Sequence, residues 1–382
     1  MGENTYTAAS ALMRPLQFAL LICWMFLMAV TAACTHATDP TLNVGRQLDG
    51  YMQTQVDRNH FTGTVLVAQN EKLLLAKGYG YANAESKTPN TLQTKFRIGS
   101  LTKQFTASAI MQLREQGLLS LQDSICKYLQ PCAEAWKPVT LHHLLSHTSG
   151  IPGYGAMPDP NTRKIPPWTA SQIAAQFRDE SLEFTPGTQW KYSDWGYCLL
   201  GLVIESVTGK PYAQVLRERI FEPLEMYGTG YDEPQTRIEP RASGYRIVGG
   251  RLENAEYINI AGPYSAGALY STAEDLYKWD QALYTDTILP RSALGLMWAE
   301  VMSNYGYGWM VSTAEASSPP PWALPHRFQV VHPGSINGFT SEILRFPDEH
   351  LTVIVLSNLE DAHVVGPELA AMVFGDPFSL PN

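Results

Sequence analysis

A serine and a lysine three residues apart, Ser100 and Lys103, lie in the segment GSLTKQFTA at the start of an apolar stretch. If this stretch is helical, positions i and i+3 share one face, so the hydroxyl and the amine can meet. A serine hydroxyl becomes a nucleophile when a base takes its proton, and a desolvated lysine can be that base. The alternative is structural, because serine is a common helix N-cap and lysine a common surface residue.

A second group of reactive side chains, Tyr192-Ser193-Asp194, comes just before a long apolar segment that predicts a helix. A tyrosine close to a lysine can carry a proton between a nucleophile and a leaving group. Taken alone, the structural interpretation is favoured, in which Asp194 caps the helix and Tyr192 packs against its neighbours.

A third segment, His332-Pro333-Gly334-Ser335, lies between two predicted strands. One interpretation is a tight turn at a strand end. The other places this strand edge beside Ser100, so that the backbone N–H groups of Ser100 and Ser335 form an oxyanion hole. Gly334 would then let a substrate approach the strand closely.

The patterns Ser-x-x-Lys, Tyr-Ser-Asp and His-Pro-Gly, in this order and at these separations, resemble the serine β-lactamase and penicillin-binding protein superfamily. The class C β-lactamase-like branch is the most similar, and it includes class C β-lactamases, D-alanyl-D-alanine carboxypeptidases, D-aminopeptidases and esterases. Further stretches resemble this branch: LHHLLSHTSGIP, FTPGTQWKYSD, YSAGALYSTAEDLYKW, YGYGWMV and VLSN. The resemblance covers residues 45–375.

The resemblance implies a role for each matching side chain. Ser100 is expected to be the nucleophile that is acylated, and Lys103 its base. Tyr192 is expected to take part in proton transfer during acylation and deacylation. The resemblance implies no cofactor and no metal, and a small ester, peptide or β-lactam as substrate.

Two positions depart from the usual pattern of the family. Asp194 stands where the family usually has an asparagine that contacts the lysine and the substrate amide, and a carboxylate there would pair with Lys103 or hold it protonated. His332 stands where β-lactamases usually have a lysine that helps to bind a substrate carboxylate, and Gly334 and Ser335 follow it on the same strand. Both departures make efficient β-lactam hydrolysis less expected, whereas His-x-Gly variants are common among the esterases and peptidases.

Histidines at 142, 143 and 147 raise the question of a metal site, because His143 and His147 have the i, i+4 spacing of zinc helices. No nearby Glu completes an H-E-x-x-H pattern, and the resemblance implies a structural corner at LLSHTSG. Tyr154 and Trp168 belong to a Pro- and Gly-rich segment that predicts a loop, where they would line a cleft or pack on the surface.

The resemblance implies an α+β, β-lactamase/transpeptidase-like fold. In this fold, helices flank an antiparallel sheet that has a mainly helical insertion. The residue patterns agree, because strands predicted near both ends of the chain enclose helices in the middle. Strands are predicted at 62–69, 72–81, 306–312, 329–332, 338–346 and 351–356. Helices are predicted at 48–59, 101–113, 141–146, 170–179, 194–208, 272–283 and 367–374.

The beginning of the chain predicts export. The uncharged apolar run 16–30 follows Arg14 and is short for a spanning helix, which is typical of a signal peptide. Small residues then lead to Cys34, as in a lipoprotein cleavage box where that cysteine is lipidated; cleavage after Ala37 and an uncleaved anchor are the alternatives. We therefore expect an export segment (1–37), a linker (38–44) and one domain (45–375). The protein is expected to be periplasmic or held at the outer membrane by a lipid anchor.

The composition and the cysteines further narrow the class of protein to which this chain belongs. The formal net charge of −9 argues against a nucleic-acid partner, which needs clustered basic residues, and 45% hydrophobic residues supply a sizeable core. In an exported protein Cys126 and Cys132 are close enough to form a disulfide, whereas Cys198 in an apolar helix is expected to be a buried thiol.

These observations predict an exported serine hydrolase that acts through an acyl-Ser100 intermediate. An ester or a D-amino-acid peptide is the expected substrate, as in a carboxylesterase, a D-Ala-D-Ala carboxypeptidase or an aminopeptidase. A class C-like β-lactamase is the enzymatic alternative. A penicillin-binding sensor or scaffold that acylates slowly is the alternative of another class.

Overall fold

A computed structural model describes residues 40–153, 172, 175, 181–233, 238–316, 319–363 and 365–376. Contacts divide the chain into residues 1–43 and 44–382. The second unit has the predicted α+β fold, built on a six-stranded antiparallel sheet of order β10-β11-β12-β13-β1-β2. These strands are β1 (Gly63–Gln69), β2 (Lys72–Tyr79), β10 (Met310–Ser312), β11 (Gln329–Ile336), β12 (Phe339–Phe346) and β13 (Leu351–Ser357).

Smaller strands surround this sheet. One three-stranded sheet has the order β5-β9-β6, and two hairpins pair β3 with β4 and β7 with β8. Their bounds are β3 (Tyr81–Asn83), β4 (Thr88–Pro89), β5 (Phe96–Arg97), β6 (Gly230–Tyr231), β7 (Tyr245–Val248), β8 (Arg251–Asn254) and β9 (Leu269–Ser271).

The helices of the described residues include the three that form the site below: α2 (Thr102–Glu115), α4 (Asp194–Thr208) and α6 (Tyr264–Gly267). The others are α1 (Pro40–Asp57), α3 (Leu141–Leu145), α5 (Tyr212–Leu216), α7 (Ala273–Ala282), α8 (Arg291–Met297) and α9 (Gly366–Phe374). Across the ranges given above, none of the helices combines the length and the apolar character needed to cross a membrane.

The central sheet joins the two ends of the chain, as predicted. Strand β1 pairs with β13 in the register Gly63↔Ser357, and it forms a hairpin with β2. The two turn residues of that hairpin, Asn70 and Glu71, both have positive φ, which matches the twist of a two-residue turn.

Both faces of the sheet are covered, which explains why its strands are continuous apolar runs. Along β1, Val65 and Val67 face one core cluster together with residues of α1 and α9. Leu66 and Ala68 face the other cluster, which contains α2 and α4. The sheet is therefore the middle of three layers, and α2 is enclosed between the sheet and the other helices.

Three predicted boundaries differ from the structure by four residues or more. Helix α1 begins at Pro40 inside the expected linker, because the fixed φ of proline suits a first helical turn. Strand β10 is only Met310–Ser312, since the preceding segment folds back on itself through the bond from Gly306 N to Trp309 O. Strand β11 extends four residues further than predicted, to Ile336. The predicted helix 170–179 lies almost entirely outside the described residues.

The short segment before α2 is fixed by three neighbouring strands. The N–H of Ile98 donates to Leu269 O of β9 at 3.0 Å, and the Ser341 hydroxyl of β12 donates to Ile98 O at 2.8 Å. Strand β11 passes so close that a Cβ on Gly334 would lie 2.2 Å from Ile98 O. Only a glycine allows this approach, which brings β11 against the turn that carries Ser100.

We predict that Gly334→Ala lowers the free energy of unfolding by about 1–3 kcal/mol, because the added methyl group overpacks a buried contact. Urea denaturation measures the change. Gly295→Ala is the matched control, since its Cβ would meet nothing within 4 Å and alanine is the better helix former in α8. Equal stability of the Gly334→Ala variant and the unmodified protein would contradict the described contact.

Candidate active site

Ser100 lies in a single 3-10 turn, Gly99–Leu101, that leads directly into α2. The structural alternative of a helix cap is wrong, because the N-cap of α2 is Leu101 and no side chain caps that helix. Gly99 has a φ of +48°, and a Cβ there would lie 2.9 Å from Ser335 N. The turn therefore presents a partly exposed Ser100 beside the backbone of β11.

Lys103 lies one turn later and is completely buried, with 0% of its side chain exposed. Its ammonium donates to three acceptors: Ser100 Oγ at 3.0 Å, Asp194 Oδ1 at 2.7 Å and Ala266 O at 2.9 Å. The alternative of a surface lysine is wrong. All three N–H bonds of the ammonium are used, so the cation joins α2, α4 and α6 at the predicted nucleophile.

The carboxylate of Asp194 controls the protonation of Lys103. Burial alone would lower the pKa of the lysine, but the interactions with Asp194 and Tyr192 together outweigh it, Asp194 contributing the larger attraction, and the net shift is upward. Asp194 is the first residue of α4 and not its cap, because the Ser193 hydroxyl accepts the Gly196 N–H at the helix start. In the resting structure Lys103 is therefore an ammonium that donates to Ser100, and it cannot accept a proton in that state.

Tyr192 lies directly before α4, with its ring centroid 4.8 Å from Lys103 Nζ. Burial raises the pKa of its phenol, while Lys103 and hydrogen bonding with Ser100 lower it, and the net shift is upward. The phenol is thus neutral near pH 7 and lies within reach of both Ser100 and Lys103. The structure brings together the four predicted residues, namely Ser100, Lys103, Tyr192 and Asp194.

His332 is buried on β11, and its Nδ1 lies 2.6 Å from Pro333 O. Since a carbonyl can only accept, Nδ1 carries the proton, and Nε2 accepts from the Tyr305 hydroxyl at 3.1 Å. Burial and the nearby Lys103 lower the pKa of His332 to about 3. The imidazole is therefore uncharged at neutral pH, so this position supplies no cation.

Gly334 and Ser335 continue the strand, with Gly334 buried against Ile98 and Ser335 exposed. Pairing with β10 covers only Gln329, Val330 and Val331 of β11. The following part of the strand lies against the Ser100 turn instead. The oxyanion hole formed by the amides of Ser100 and Ser335 stays a prediction that this placement permits.

Two residues that the sequence reasoning did not assign to the site, His147 and Tyr305, lie behind Tyr192. Their ring centroids are 4.6 Å apart, and the His147 ring is 4.3 Å from the Tyr192 ring. No spacing rule connects residues 147, 192 and 305. The one available signal was the HTSG corner directly after a short apolar helix.

The remaining predicted residues have simple placements. His143 Nδ1 accepts the Thr140 N–H at 3.2 Å, and within the described ranges no group of three or more His, Cys, Asp or Glu side chains could hold a metal ion. Cys126 and Cys132 form a disulfide, and Cys198 is a buried thiol. Tyr154, Trp168 and Cys34 lie outside the described residues, as does the apolar run 16–30.

The beta-lactamase family model matches residues 48–373. Penicillin-binding protein 4* of Bacillus subtilis (strain 168) is 29% identical over 371 residues, which are 89% of this chain and 78% of that protein. Other curated relatives are longer, and the chain spans 64% of their length.

Solved structures that are similar to this chain point to the same family. The octameric penicillin-binding protein homologue from Pyrococcus abyssi superposes with a TM-score of 0.75 at 28% identity, covering 86% of this chain and 77% of that chain. The D-amino acid amidase from Ochrobactrum anthropi SV3, complexed with L-phenylalanine amide, gives 0.71 at 26% identity, covering 87% and 96%. Together with the Ser-x-x-Lys geometry, these matches place the chain in the beta-lactamase family, as a serine hydrolase.

Proposed function

We propose that this serine hydrolase cleaves an uncharged ester or a D-amino-acid amide or peptide through an acyl-Ser100 intermediate. The observation that carries the proposal is the 3.0 Å hydrogen bond from the fully buried Lys103 ammonium to Ser100 Oγ. A buried cation is costly to maintain, and joining helices does not require it to donate to a partly exposed hydroxyl. Nucleophilic catalysis explains the arrangement.

In the proposed reaction the Lys103–Tyr192 pair first loses one proton to solvent, since both groups are fully protonated at rest. Ser100 Oγ then bonds to the carbonyl carbon while its proton passes to the pair. The bond to the leaving group breaks as that proton moves to the departing oxygen or nitrogen, which leaves acyl-Ser100 and an alcohol or amine. Water attacks in the same way, its proton returns through the pair to Ser100 Oγ, and the acid departs.

The charge of the β11 edge supports a substrate without a carboxylate beside the scissile bond. His332 is neutral, Pro333 has neither an N–H nor a hydroxyl group, and the positive charge of Lys103 is paired with Asp194. A penicillin, or a peptide with its terminal carboxylate beside the scissile bond, would find no cation on this strand. The similarity to a D-amino acid amidase supports an amide of this class as well as an ester.

A slowly acylating penicillin-binding sensor is the second candidate, and the Asp194–Lys103 pair favours it. An ammonium held by a carboxylate is a poor base, so it would slow both the acylation of Ser100 and the later attack of water, and a slow attack of water leaves a lasting adduct. A β-lactamase is the third candidate and would need the same base to act twice. The rate at which the acyl group leaves Ser100 separates these functions.

We predict that the protein without residues 1–37 releases p-nitrophenol from p-nitrophenyl acetate and returns rapidly to its unmodified mass. Intact-mass spectrometry after exposure to this ester, to D-alanine p-nitroanilide and, separately, to a penicillin measures both steps. Ser100→Ala should abolish the adduct, whereas Ser108→Ala on the helix that follows should not. Turnover that persists in Ser100→Ala would contradict the mechanism, and a lasting adduct would favour the sensor.

We predict that Asp194→Asn raises kcat/KM for esters at pH 7 and moves the acidic limb of its pH profile to lower pH. The carboxylate raises the pKa of Lys103, and each pKa unit removed increases the neutral amine about tenfold. Asp123→Asn is the matched control, because it removes the partner of the exposed Lys127. A profile that does not move would show that the carboxylate does not set the protonation of Lys103.

We also propose that the chain is exported and that Cys34 is lipidated. The apolar run 16–30 and the Cys126–Cys132 disulfide support this, because disulfides persist in oxidising compartments.

We predict that radioactive palmitate labels the full chain expressed in a bacterium and that Cys34→Ser removes the label. Cys23→Ser, inside the apolar run, is the control and should keep it. Labelling that survives Cys34→Ser, or no labelling of the unmodified chain, would exclude the lipidation of Cys34.

A further inference from the structure

The backbone on both sides of Tyr192 is held by a single residue, His147. The Lys191 N–H donates to the His147 carbonyl oxygen at 3.0 Å. The Ser193 N–H donates to His147 Nδ1 at 3.1 Å. The backbone N–H groups of the residues before and after Tyr192 are thus bonded to one side chain and its own backbone, although the residues are more than forty positions apart in sequence.

The ring of His147 also supports the phenol ring directly. The ring centroids of His147 and Tyr192 are 4.3 Å apart at an interplanar angle of 36°. On its other sides the imidazole contacts Tyr197 at 5.1 Å and Tyr305 at 4.6 Å. With 1% of His147 exposed, the imidazole has no room to rotate away, so it fixes the plane in which the phenol lies.

The hydrogen-bonding state of His147 follows from its partners. An amide can only donate, so Nδ1 is an acceptor and the proton is on Nε2. Burial and the positive charge of Lys103 lower the pKa of His147, which keeps the ring neutral and Nδ1 available. Nε2 has no hydrogen-bond partner among the described residues, so the bond to Ser193 is the one polar contact that the ring makes there.

We propose that His147 is a positioning residue for Tyr192, which holds the phenol where it can pass a proton to the departing group. This inference rests on the proposed acyl-Ser100 mechanism and adds a residue that acts through Tyr192. Correct placement of the phenol matters most when the leaving group is basic, because such a group must be protonated as its bond breaks. A good leaving group such as p-nitrophenolate departs without that proton.

The test uses acetate esters that share one acyl group and differ in the basicity of the leaving group: p-nitrophenyl, phenyl and ethyl acetate. His147→Asn keeps an acceptor at the position of Nδ1, whereas His147→Gln moves it to that of Nε2. Tyr192→Phe is the reference for a lost proton donor. His142→Asn is the control on the short helix α3 that ends just before His147, and its Nδ1 contacts Tyr307 instead. Thermal melting reports the stability of each variant.

We expect His147→Asn and His142→Asn to keep the leaving-group dependence of the unmodified protein. His147→Gln should lose on the order of tenfold to a hundredfold more kcat/KM on ethyl acetate than on p-nitrophenyl acetate, approaching Tyr192→Phe. A merely structural role would lower the rate on all three esters by one common factor. Equal losses across the series in His147→Gln would therefore overturn the proposal.

A second measurement needs no variant. Selective ¹⁵N labelling of histidine in the unmodified protein distinguishes the two ring nitrogens by chemical shift, and His147→Asn identifies the signal. We expect an unprotonated Nδ1 and a protonated Nε2 across the neutral pH range, and a protonated Nδ1 would overturn the proposal. If Ser100→Ala retains turnover, the proposed function fails. If only His147→Gln behaves as a uniform loss, the function stands and this inference fails.

Discussion

The arrangement of the site depends on one buried cation. The ammonium of Lys103 is removed from water and bonds to a hydroxyl, a carboxylate and a backbone carbonyl on three separate segments. An isolated buried ammonium would lose its proton, so the acceptors, and Asp194 above all, keep it charged. The cation in turn fixes the start of α2, the start of α4 and the short helix α6 relative to Ser100.

The ion pair between Lys103 and Asp194 also limits the reaction at Ser100. An ammonium that donates to Ser100 Oγ orients the hydroxyl but does not activate it. In the proposed mechanism, the rate of acylation is therefore set by how often the Lys103–Tyr192 pair is one proton short. The neighbouring imidazoles add no charge, because burial keeps His147 and His332 neutral. Among the described residues that bond at Ser100, the charges are those of the Lys103–Asp194 ion pair, which suits an uncharged substrate better than an anionic one.

Much of the fold and of the candidate site could be predicted from the sequence. The informative patterns were either local or were motifs that follow one another in an order known from the family. The i, i+3 spacing of Ser100 and Lys103 and the apolar strands at both ends of the chain predicted the nucleophile and the sheet. Both ends of helix α4, residues 194–208, were predicted correctly.

The features that could not be predicted depend on contacts between residues that are far apart in the sequence. No local pattern shows that His147 bonds to the amide before α4, or that Gly334 lies against Ile98 O. The early start of α1 and the short β10 were missed because a proline in the first helical turn and a segment that folds back on itself before Met310 override simple periodicity.

The central claim is that one proton on the Lys103–Tyr192 pair controls acylation of Ser100. The most direct test is the pre-steady-state rate of acylation of the unmodified protein by p-nitrophenyl acetate between pH 6 and 10. Because Asp194 raises the pKa of Lys103, the account predicts a rate that climbs continuously from neutral to alkaline pH. A rate that is level over this range, or that peaks below pH 7, would mean that the resting lysine is already neutral and would contradict the account.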